Sequence, residues 1–291
     1  MDRKLISVIV PAYNEEDCVN ELARRLGAVF DSNPAYDFEA IIIENGSEDR
    51  TWELLREISV ADARFKLVQL ARNFRMDGGI TAGLEYATGD AAVIMTADLQ
   101  DPPELITEFI TKWEEGYENV YMVVTKRTDA SWIRSFNSRA FYWLAGKLTE
   151  NRLPRNASDF RLVDRKVYET VRQLDERNRF VRGLFAWVGF HSTGIEHQRP
   201  KRFGGASKAY SLKVIDLAFK GIFAHSYLPL RLITLIGMVL SILSVSTTAV
   251  MAVIWFTVGV PFAGFGTLFS LIVLLFGLLF LMMGIVSEYL G

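Results

Sequence analysis

Charged residues end almost completely at position 231 of this chain. Of its 32 lysine and arginine residues and 34 aspartate and glutamate residues, only Glu288 lies beyond Arg231. Two stretches without any charge, 232–258 and 265–286, follow that arginine. At about 1.5 Å per residue, a helix of either length can cross roughly 30 Å of hydrocarbon. The pattern therefore predicts a two-helix transmembrane hairpin over 231–291, and it excludes a purely soluble, a disordered or a disulfide-stapled chain.

Basic residues before the first apolar stretch predict the side of the membrane on which the rest of the chain lies. Lys213, Lys220 and Arg231 precede that stretch, and cytoplasmic flanks of membrane helices are enriched in such residues. The N-terminus lacks the pattern of a signal peptide. We therefore expect residues 1–210 to form a cytoplasmic domain of a multi-pass inner-membrane protein. The segment 211–230 has apolar and basic positions at helical spacing, which predicts a juxtamembrane amphipathic helix.

Short apolar runs alternate with helical patterns through the first 125 residues. This order is typical of an α/β fold, a mainly parallel sheet with helices on both faces. The predicted strands are 5–10, 38–43, 65–70, 91–96 and 119–125, and the predicted helices are 15–30, 49–59, 77–87 and 104–115. A polar cluster follows each of the first four strands, and ligands of such sheets bind beyond the carboxyl ends of the strands. We therefore expect one large polar site at that edge.

The string TADLQDPPE, after the fourth predicted strand, indicates a metal site. It supplies side-chain oxygens from Asp98, Gln100 and Asp101 in a loop that Pro102 and Pro103 stiffen. Carboxylate and amide oxygens suit a hard divalent cation, and such an ion keeps positions open for the oxygens of a diphosphate. The sequence therefore predicts a Mg²⁺ or Mn²⁺ site in this loop.

Six ordered features of the chain resemble one known family. PAYNEE, ENGSEDRT, ARNF, TADLQDPPELI, SDFRLVDRKV and the paired C-terminal spans are similar to the family-two glycosyltransferases, and more narrowly to polyprenyl-phosphate glycosyltransferases such as bactoprenol glucosyltransferases. The resemblance implies a GT-A domain, Rossmann-like with a mainly parallel sheet, followed by amphipathic interface helices and two transmembrane helices. It also implies inverting transfer of a hexose from a nucleotide-diphosphate sugar, UDP-glucose or a related UDP-sugar, to undecaprenyl or another polyprenyl phosphate.

The resemblance also implies roles for individual residues, beginning with the donor. Its nucleotide would contact Pro11, Tyr13, Glu15, Glu44, Asn45, Gly46, Ser47 and Arg72. Asp98 and Gln100 would hold the metal, which would be Mg²⁺ or Mn²⁺. The donor diphosphate would meet a basic, glycine-rich loop that contains Arg199, Arg202 and Lys208.

For the acceptor, the resemblance implies cations that bind the lipid phosphate. These are Arg127, Arg134, Ser138, Arg139 and Arg161, and three of them fall on a predicted basic amphipathic helix over 132–148 that would lie at the membrane interface or against a protein core. Asp159 and Asp98 are the implied catalytic residues, with Asp159 as general base. A phosphomonoester has a second pKa near 6 and is largely ionised at neutral pH, so Asp159 could instead orient the acceptor or pair with Arg161.

Two positions depart from the family pattern. Thr96 stands where the family often has an aspartate before Asp98, so we expect metal dependence to persist with one charge fewer. Asn45 stands where the family usually has an aspartate before Gly46 and Ser47, which leaves the identity of the donor base open.

Three alternatives to transfer from a UDP-sugar follow from the same residues. One is transfer from GDP-mannose, as in dolichol-phosphate mannosyltransferases. A processive polysaccharide synthase is another, but the Gln-x-x-Arg-Trp string of that group does not occur. The last is a non-catalytic membrane scaffold, which Thr96 and Asn45 would favour. We expect the membrane as a partner, a homo-oligomer and no nucleic-acid partner. The chain ends soon after the second span, where relatives often continue with a polar tail, so a truncation is also open.

Overall fold

The computed structural model describes residues 3–127, 156–176, 179–199, 228–259 and 264–290. The chain divides into two compact units, Met1–Ala224 and His225–Gly291. The predicted helix over 132–148 and residues 211–227 of the predicted juxtamembrane helix lie outside the described residues, and residues 228–230 belong to the first long apolar helix. Each unit is described separately below.

A seven-stranded mixed sheet is the centre of the first unit. Its strands are β1 (Lys4–Ala12), β2 (Tyr36–Glu44), β3 (Phe65–Gln69), β4 (Ala91–Ile94), β5 (Asn119–Arg127), β6 (Ala157–Asp164) and β7 (Ser192–Arg199), in the spatial order β3-β2-β1-β4-β6-β5-β7. Neighbours from β3 to β4 are parallel, as are β5 and β7. Only β6 is antiparallel to both of its neighbours. The prediction of an α/β domain with a mainly parallel sheet is confirmed.

Six helices are described in this unit, and the first four follow the predicted order. They are α1 (Val19–Ser32), α2 (Thr51–Ala61), α3 (Arg75–Tyr86), α4 (Leu105–Glu114), α5 (Arg165–Arg172) and α6 (Val181–Trp187). Helix α1 begins four residues later than predicted, because residues 15–18 form a turn in which the amides of Cys18 and Val19 donate to the Glu15 carbonyl.

Helices cover the sheet on both faces, because successive strand residues point to opposite sides. In β1, Val8 and Val10 belong to a buried cluster that includes residues of α1 and α4. Ile9, between them, belongs to a second buried cluster that includes residues of α3, α5 and α6. Both faces of β1 are therefore part of a hydrophobic core, and polar side chains can gather only at the ends of such a strand.

Helix α3 approaches β1 closely because two of its residues lack side chains. A Cβ atom on Gly83 would lie 2.2 Å from Cγ2 of Ile9, and one on Gly79 would lie 2.8 Å from Cβ of Pro11. The second contact is near the carboxyl end of β1. Gly79 thus sets how closely the N-terminal half of α3 approaches that end of the sheet.

The second unit contains two long apolar helices, α7 (Leu228–Val258) and α8 (Phe265–Leu290). By length and composition, the stretches Gly237–Val258 and Gly266–Gly284 could each cross a membrane. The two helices approach each other closely at a small residue: a Cβ on Gly237 would lie 2.7 Å from the Leu281 amide nitrogen. Close backbone approach through small residues is common between helices in lipid. Many large apolar side chains of these helices are exposed in the structure, a pattern that agrees with helices able to cross a membrane.

Gly83→Ala should destabilise the first unit, because its methyl group would overlap the branched side chain of Ile9. Overpacking of this kind costs about 1–3 kcal/mol. Gly27→Ala is the matched control, since Gly27 also lies in a helix but its added Cβ would meet only Arg64 Nη2 at 3.8 Å. The control should be neutral or stabilising by up to about 1 kcal/mol. Thermal unfolding of both variants in detergent measures the difference, and equal midpoints would contradict the packing.

Candidate active site

The loops after β1 and β2 hold each other through side-chain caps. The Asn14 amide donates to Ser47 Oγ (3.0 Å), and the Glu48 amide donates to Asn14 Oδ1 (2.8 Å). The Glu15 amide donates to Thr51 Oγ1 (2.8 Å). These bonds satisfy backbone donors that no strand partner reaches. The two loops predicted to bind the donor nucleotide therefore lie side by side.

Asn45 joins three elements at the same edge of the sheet. Its side chain is buried, its Nδ2 donates to the Arg75 carbonyl (2.9 Å), and its Oδ1 accepts from the Phe74 amide (2.8 Å). Its own amide donates to the Ala12 carbonyl (2.9 Å). An aspartate lacks the N–H group that the Arg75 carbonyl receives. This departure from the family pattern thus has a structural use, and a contact of Asn45 with the donor stays a prediction.

Four more of the predicted nucleotide-binding residues, Glu44, Gly46, Ser47 and Arg72, lie at the turn after β2. The buried Glu44 carboxylate accepts the amide of Ser47, which closes the turn around Gly46. Gly46 has a φ of 71°, and a Cβ there would lie 2.8 Å from the Cα of Arg72. The Arg72 guanidinium lies over the Phe74 ring, 4.4 Å from its centroid. The loop after β3 therefore closes over the turn after β2.

The loop after β4 is organised by Thr96. Its hydroxyl lies 2.7 Å from Asp98 Oδ1 and 2.8 Å from Asp101 Oδ2, and its single proton serves one carboxylate at a time. The Thr96 amide also donates to Asp101 Oδ2 (3.1 Å), and the Gln100 amide donates to Asp98 Oδ1 (3.2 Å). An aspartate at position 96 would add a third negative charge and would not supply the hydroxyl donor that Asp98 and Asp101 share. The threonine thus supports the two carboxylates beside it.

Asp101 connects this loop to the last strand. It is fully buried, and burial raises its pKa against the opposing charge of Arg199 and the hydrogen bond from Thr96. Arg199 Nη2 lies 3.4 Å from Asp101 Oδ1. The structure therefore brings the first residue of the predicted diphosphate loop to the predicted metal loop.

Asp159 has a partner that the sequence analysis did not identify. Arg182 Nε lies 2.8 Å from Asp159 Oδ1, and Arg182 Nη2 bonds the other carboxylate oxygen. Burial raises the pKa of Asp159, but the charges of Arg182, Arg161 and Arg199 and the hydrogen bond of Arg182 hold it below its usual value. Asp159 is therefore ionised at neutral pH.

Arg161 does not form the side-chain pair with Asp159 that was one of the sequence-based alternatives. Its Nη2 donates to the Ser158 carbonyl (3.0 Å) and its Nε donates to the Asp159 carbonyl (3.3 Å). The guanidinium is buried over the Phe185 ring, 5.0 Å from the centroid. Burial lowers its pKa to about 10, so it stays protonated at neutral pH. It acts on Asp159 through its charge.

Asp77 is a second residue that sequence reasoning missed. Its Oδ1 accepts the amide of Val181 (3.0 Å) and so ties the start of α6, which carries Arg182, to the first turn of α3. Burial raises the pKa of Asp77, and the charge of Asp159 raises it further. The hydrogen bond from the Val181 amide and the charge of Arg182 lower this pKa, but the net shift is upward. No local pattern marks a contact between residues 104 positions apart.

Several predicted phosphate-binding residues are not placed by the structure. Arg134, Ser138, Arg139, Arg202 and Lys208 lie outside the described residues. Arg127 ends β5, where its backbone pairs with Arg199 of β7.

The described residues supply only part of a metal site. No group of three or more histidine, cysteine, aspartate or glutamate side chains that could hold an ion occurs within the described ranges. Asp98 and Gln100 present two oxygen-bearing side chains on one loop, with Asp98 held by its bonds to Thr96 and to the Gln100 amide. A divalent cation takes six or more oxygen ligands. The residues fit an ion that is completed by ligand oxygens and water.

Residues 7–172 match the model of the Glycosyl transferase family 2. The chain belongs to this family. An uncharacterised glycosyltransferase of Synechocystis is 39% identical over 98% of this chain and 90% of that protein. The bactoprenol glucosyl transferase of Shigella phage SfV is 34% identical over 98% of this chain and 93% of that protein.

The fold also agrees with a solved structure. Glucosyl-3-phosphoglycerate synthase from Mycobacterium tuberculosis has a TM-score of 0.50 and 16% identity, covering 76% of this chain and 78% of that one. At this identity the likeness concerns the fold alone. The sheet unit of this glycosyltransferase therefore has the GT-A fold that the sequence predicted.

Thr96→Val should destabilise the sheet unit by about 1–3 kcal/mol, because it leaves the buried Asp101 carboxyl without its hydroxyl partner. Thr96→Ser keeps that hydroxyl and is the matched control, with a smaller loss expected. Chemical unfolding in detergent compares the two variants. If both lose the same stability, the hydroxyl is not what holds the loop.

Proposed function

We propose that this chain transfers a hexose from a nucleoside-diphosphate sugar to a polyprenyl phosphate, with inversion at the anomeric carbon. The donor is UDP-glucose or a related UDP-sugar, and the acceptor is undecaprenyl phosphate. The observation that carries this proposal is the match of 98% of the chain to a bactoprenol glucosyl transferase. Because that match includes both the GT-A unit and the two apolar helices, it supports a lipid acceptor rather than a soluble one.

The donor site lies, in this proposal, at the carboxyl ends of β1, β2 and β4. Tyr13 and Glu15 after β1, and the turn of Gly46 and Ser47 after β2, hold the nucleoside. Hydrogen bonds between these two loops support the assignment, because they keep the surface preorganised before the donor arrives. Arg72, exposed beside the same turn, adds a cation near the phosphates.

Asp98 and Gln100 hold a Mg²⁺ or Mn²⁺ ion in this proposal. The bound ion neutralises the charge that develops on the leaving nucleoside diphosphate. The mycobacterial synthase of the same fold was solved in complex with Mn²⁺ and UDP. Thr96 and the Gln100 amide orient Asp98, while Arg199, with Arg202 and Lys208 of the same loop, adds positive charge for the diphosphate.

The acceptor phosphate is the nucleophile. One of its oxygens attacks the anomeric carbon as the bond from that carbon to the diphosphate oxygen breaks on the opposite side, which inverts the configuration. Arg127, Arg134, Ser138 and Arg139 bind the phosphate, since the guanidinium fork suits its geometry. Arg161 contributes its buried charge. Because the second pKa of a phosphomonoester is near 6, the attack requires no proton acceptor at neutral pH.

The apolar helices anchor the enzyme beside its lipid substrate. In this proposal α7 and α8 cross the inner membrane, and the GT-A unit lies on the cytoplasmic side, where nucleotide sugars are available. We also propose a homo-oligomer in the membrane, and mass measurement in mild detergent that finds only a monomer would contradict it.

A transfer assay tests the function. Purified protein in lipid receives undecaprenyl phosphate and a panel of labelled UDP- and GDP-sugars, with Mn²⁺ or with EDTA. Labelled lipid from a UDP-hexose, lost with EDTA, is the expected result, and labelled lipid from GDP-mannose would replace the donor assignment. Nucleotide binding without any lipid product would favour the non-catalytic scaffold.

Asp98→Asn should reduce transfer about 100-fold or more, because it removes the charged metal ligand. An asparagine Oδ1 can still accept from Thr96 and from the Gln100 amide, so the loop should keep its fold. Asp62→Asn is the matched control, since Asp62 precedes β3 at the opposite end of the sheet. Initial rates at saturating Mn²⁺ measure both variants, and equal rates would contradict the metal assignment.

A further inference from the structure

The carboxylate of Asp159 is bound at both oxygens by one guanidinium. Arg182 reaches it from α6 in a two-point contact, with Nε on Oδ1 and Nη2 on Oδ2. The two side chains are only 28% and 22% exposed. Bidentate pairs of this kind fix the orientation of both partners, because two parallel bonds define a plane.

The pair is held in place from a third element. Asp77, in the first turn of α3, accepts the amide of Val181 directly before Arg182. Helix α3 is in turn packed against β1 through Gly79 and Gly83. The position of Arg182 therefore depends on the same close packing that sets the edge of the donor site.

Asp159 lies in a field of mixed charge. Arg182 of α6, Arg161 of β6 and Arg199 of β7 favour its ionised form, and the charge of Asp159 in turn raises the pKa of Asp77 of α3. Burial opposes the ionisation of Asp159. Because the arginines prevail, the carboxylate stays charged where burial alone would favour its neutral form. An ionised carboxylate with a guanidinium on both oxygens is a weak proton acceptor.

We propose that Arg182 is a positioning residue, which holds Asp159 as a fixed, ionised group beside the acceptor and keeps it from working as a proton-accepting base. This inference rests on the proposed function. The acceptor phosphate, already ionised at neutral pH, does not need such a base. Asp159 contributes its charge and its orientation, and Arg182 maintains both.

The test compares Arg182→Met, Arg182→Lys, Asp159→Asn and the double variant Asp159→Asn/Arg182→Met in the transfer assay between pH 5.5 and 9. Removing Arg182 takes away the largest of the effects that lower the pKa of Asp159, so this pKa should rise and an acid limb of the activity profile should move toward neutral pH. We expect kcat to fall about 10- to 100-fold with the donor KM within about twofold. Arg182→Lys keeps the positive charge but not the two-point contact, so its kcat should lie between those of wild type and Arg182→Met.

The double variant separates positioning from independent roles. If Arg182 works through Asp159, the double variant should lose no more activity than Asp159→Asn alone. Arg172→Met is the matched control, because Arg172 also pairs with a carboxylate, Glu85, at 3.4 Å on the exposed faces of α5 and α3. The control should keep the wild-type pH profile. Additive losses in the double variant, or an unchanged pH profile in Arg182→Met, would overturn the proposal.

A second readout does not depend on turnover. In the wild type the pKa of Asp159 is depressed, so its contribution to stability is present above the unfolded pKa and constant from pH 5 to 8. In Arg182→Met the raised pKa favours the folded state at low pH, and that benefit is lost as pH rises through the new value. The difference in thermal midpoint between wild type and Arg182→Met should therefore widen between pH 5 and 8. The difference between Asp159→Asn and the double variant should stay constant over the same range.

The two readouts distinguish failure of the inference from failure of the function. The proposed function would be refuted if the wild type transfers no sugar. The pairing of Asp159 and Arg182 would still stand if the midpoint difference between wild type and Arg182→Met widens with pH. A wild type that transfers sugar, with a constant midpoint difference, would refute the inference alone.

Discussion

The parallel pairing of β1 with β2 and β4 is the constraint on which the rest of this glycosyltransferase depends. In this register Ala12 lies beside Glu44, and Ile9 lies beside Ile94, so three strands end at one edge of the sheet. Beyond that edge the backbone amides have no strand partner, and side chains of the loops bind them instead. Asn14 and Asn45 serve this purpose between loops, as does Asp101 within the loop after β4. The polar cluster is therefore a consequence of how the sheet ends.

Close packing of α3 transmits that geometry to the other half of the site. The helix can lie on β1 because Gly79 and Gly83 present no side chain to it. Its first turn then brings Asp77 to the start of α6, and α6 brings Arg182 to Asp159 of β6. The loops proposed to bind the donor and the charges proposed to lie beside the acceptor are thus connected through packed elements, an arrangement that would suit a reaction between two bound substrates.

Much of this architecture could be predicted because the signals are local. Apolar runs identified all five strands up to residue 127, and the bounds differ from the observed ones by up to two residues. Helix α1 was predicted from residue 15 but begins at Val19, because residues 15–18 form a turn in which the Cys18 amide donates to the Glu15 carbonyl. The position of β6 could not be predicted, since this antiparallel strand enters the sheet between β4 and β5. The predicted metal loop is one contiguous string, whereas Arg182 lies 23 residues from Asp159.

The sequence by itself determined an α/β unit with a polar edge and two long apolar helices, because alternation of apolar runs and absence of charge are properties of neighbouring residues. Only the tertiary structure decided which partner each polar side chain takes. It turned Asn45 toward the backbone of α3, Thr96 toward two carboxylates and Asp159 toward Arg182. Hydrogen bonds and ion pairs act over about 3 Å, and strand order and helix packing determine which residues distant in sequence come that close.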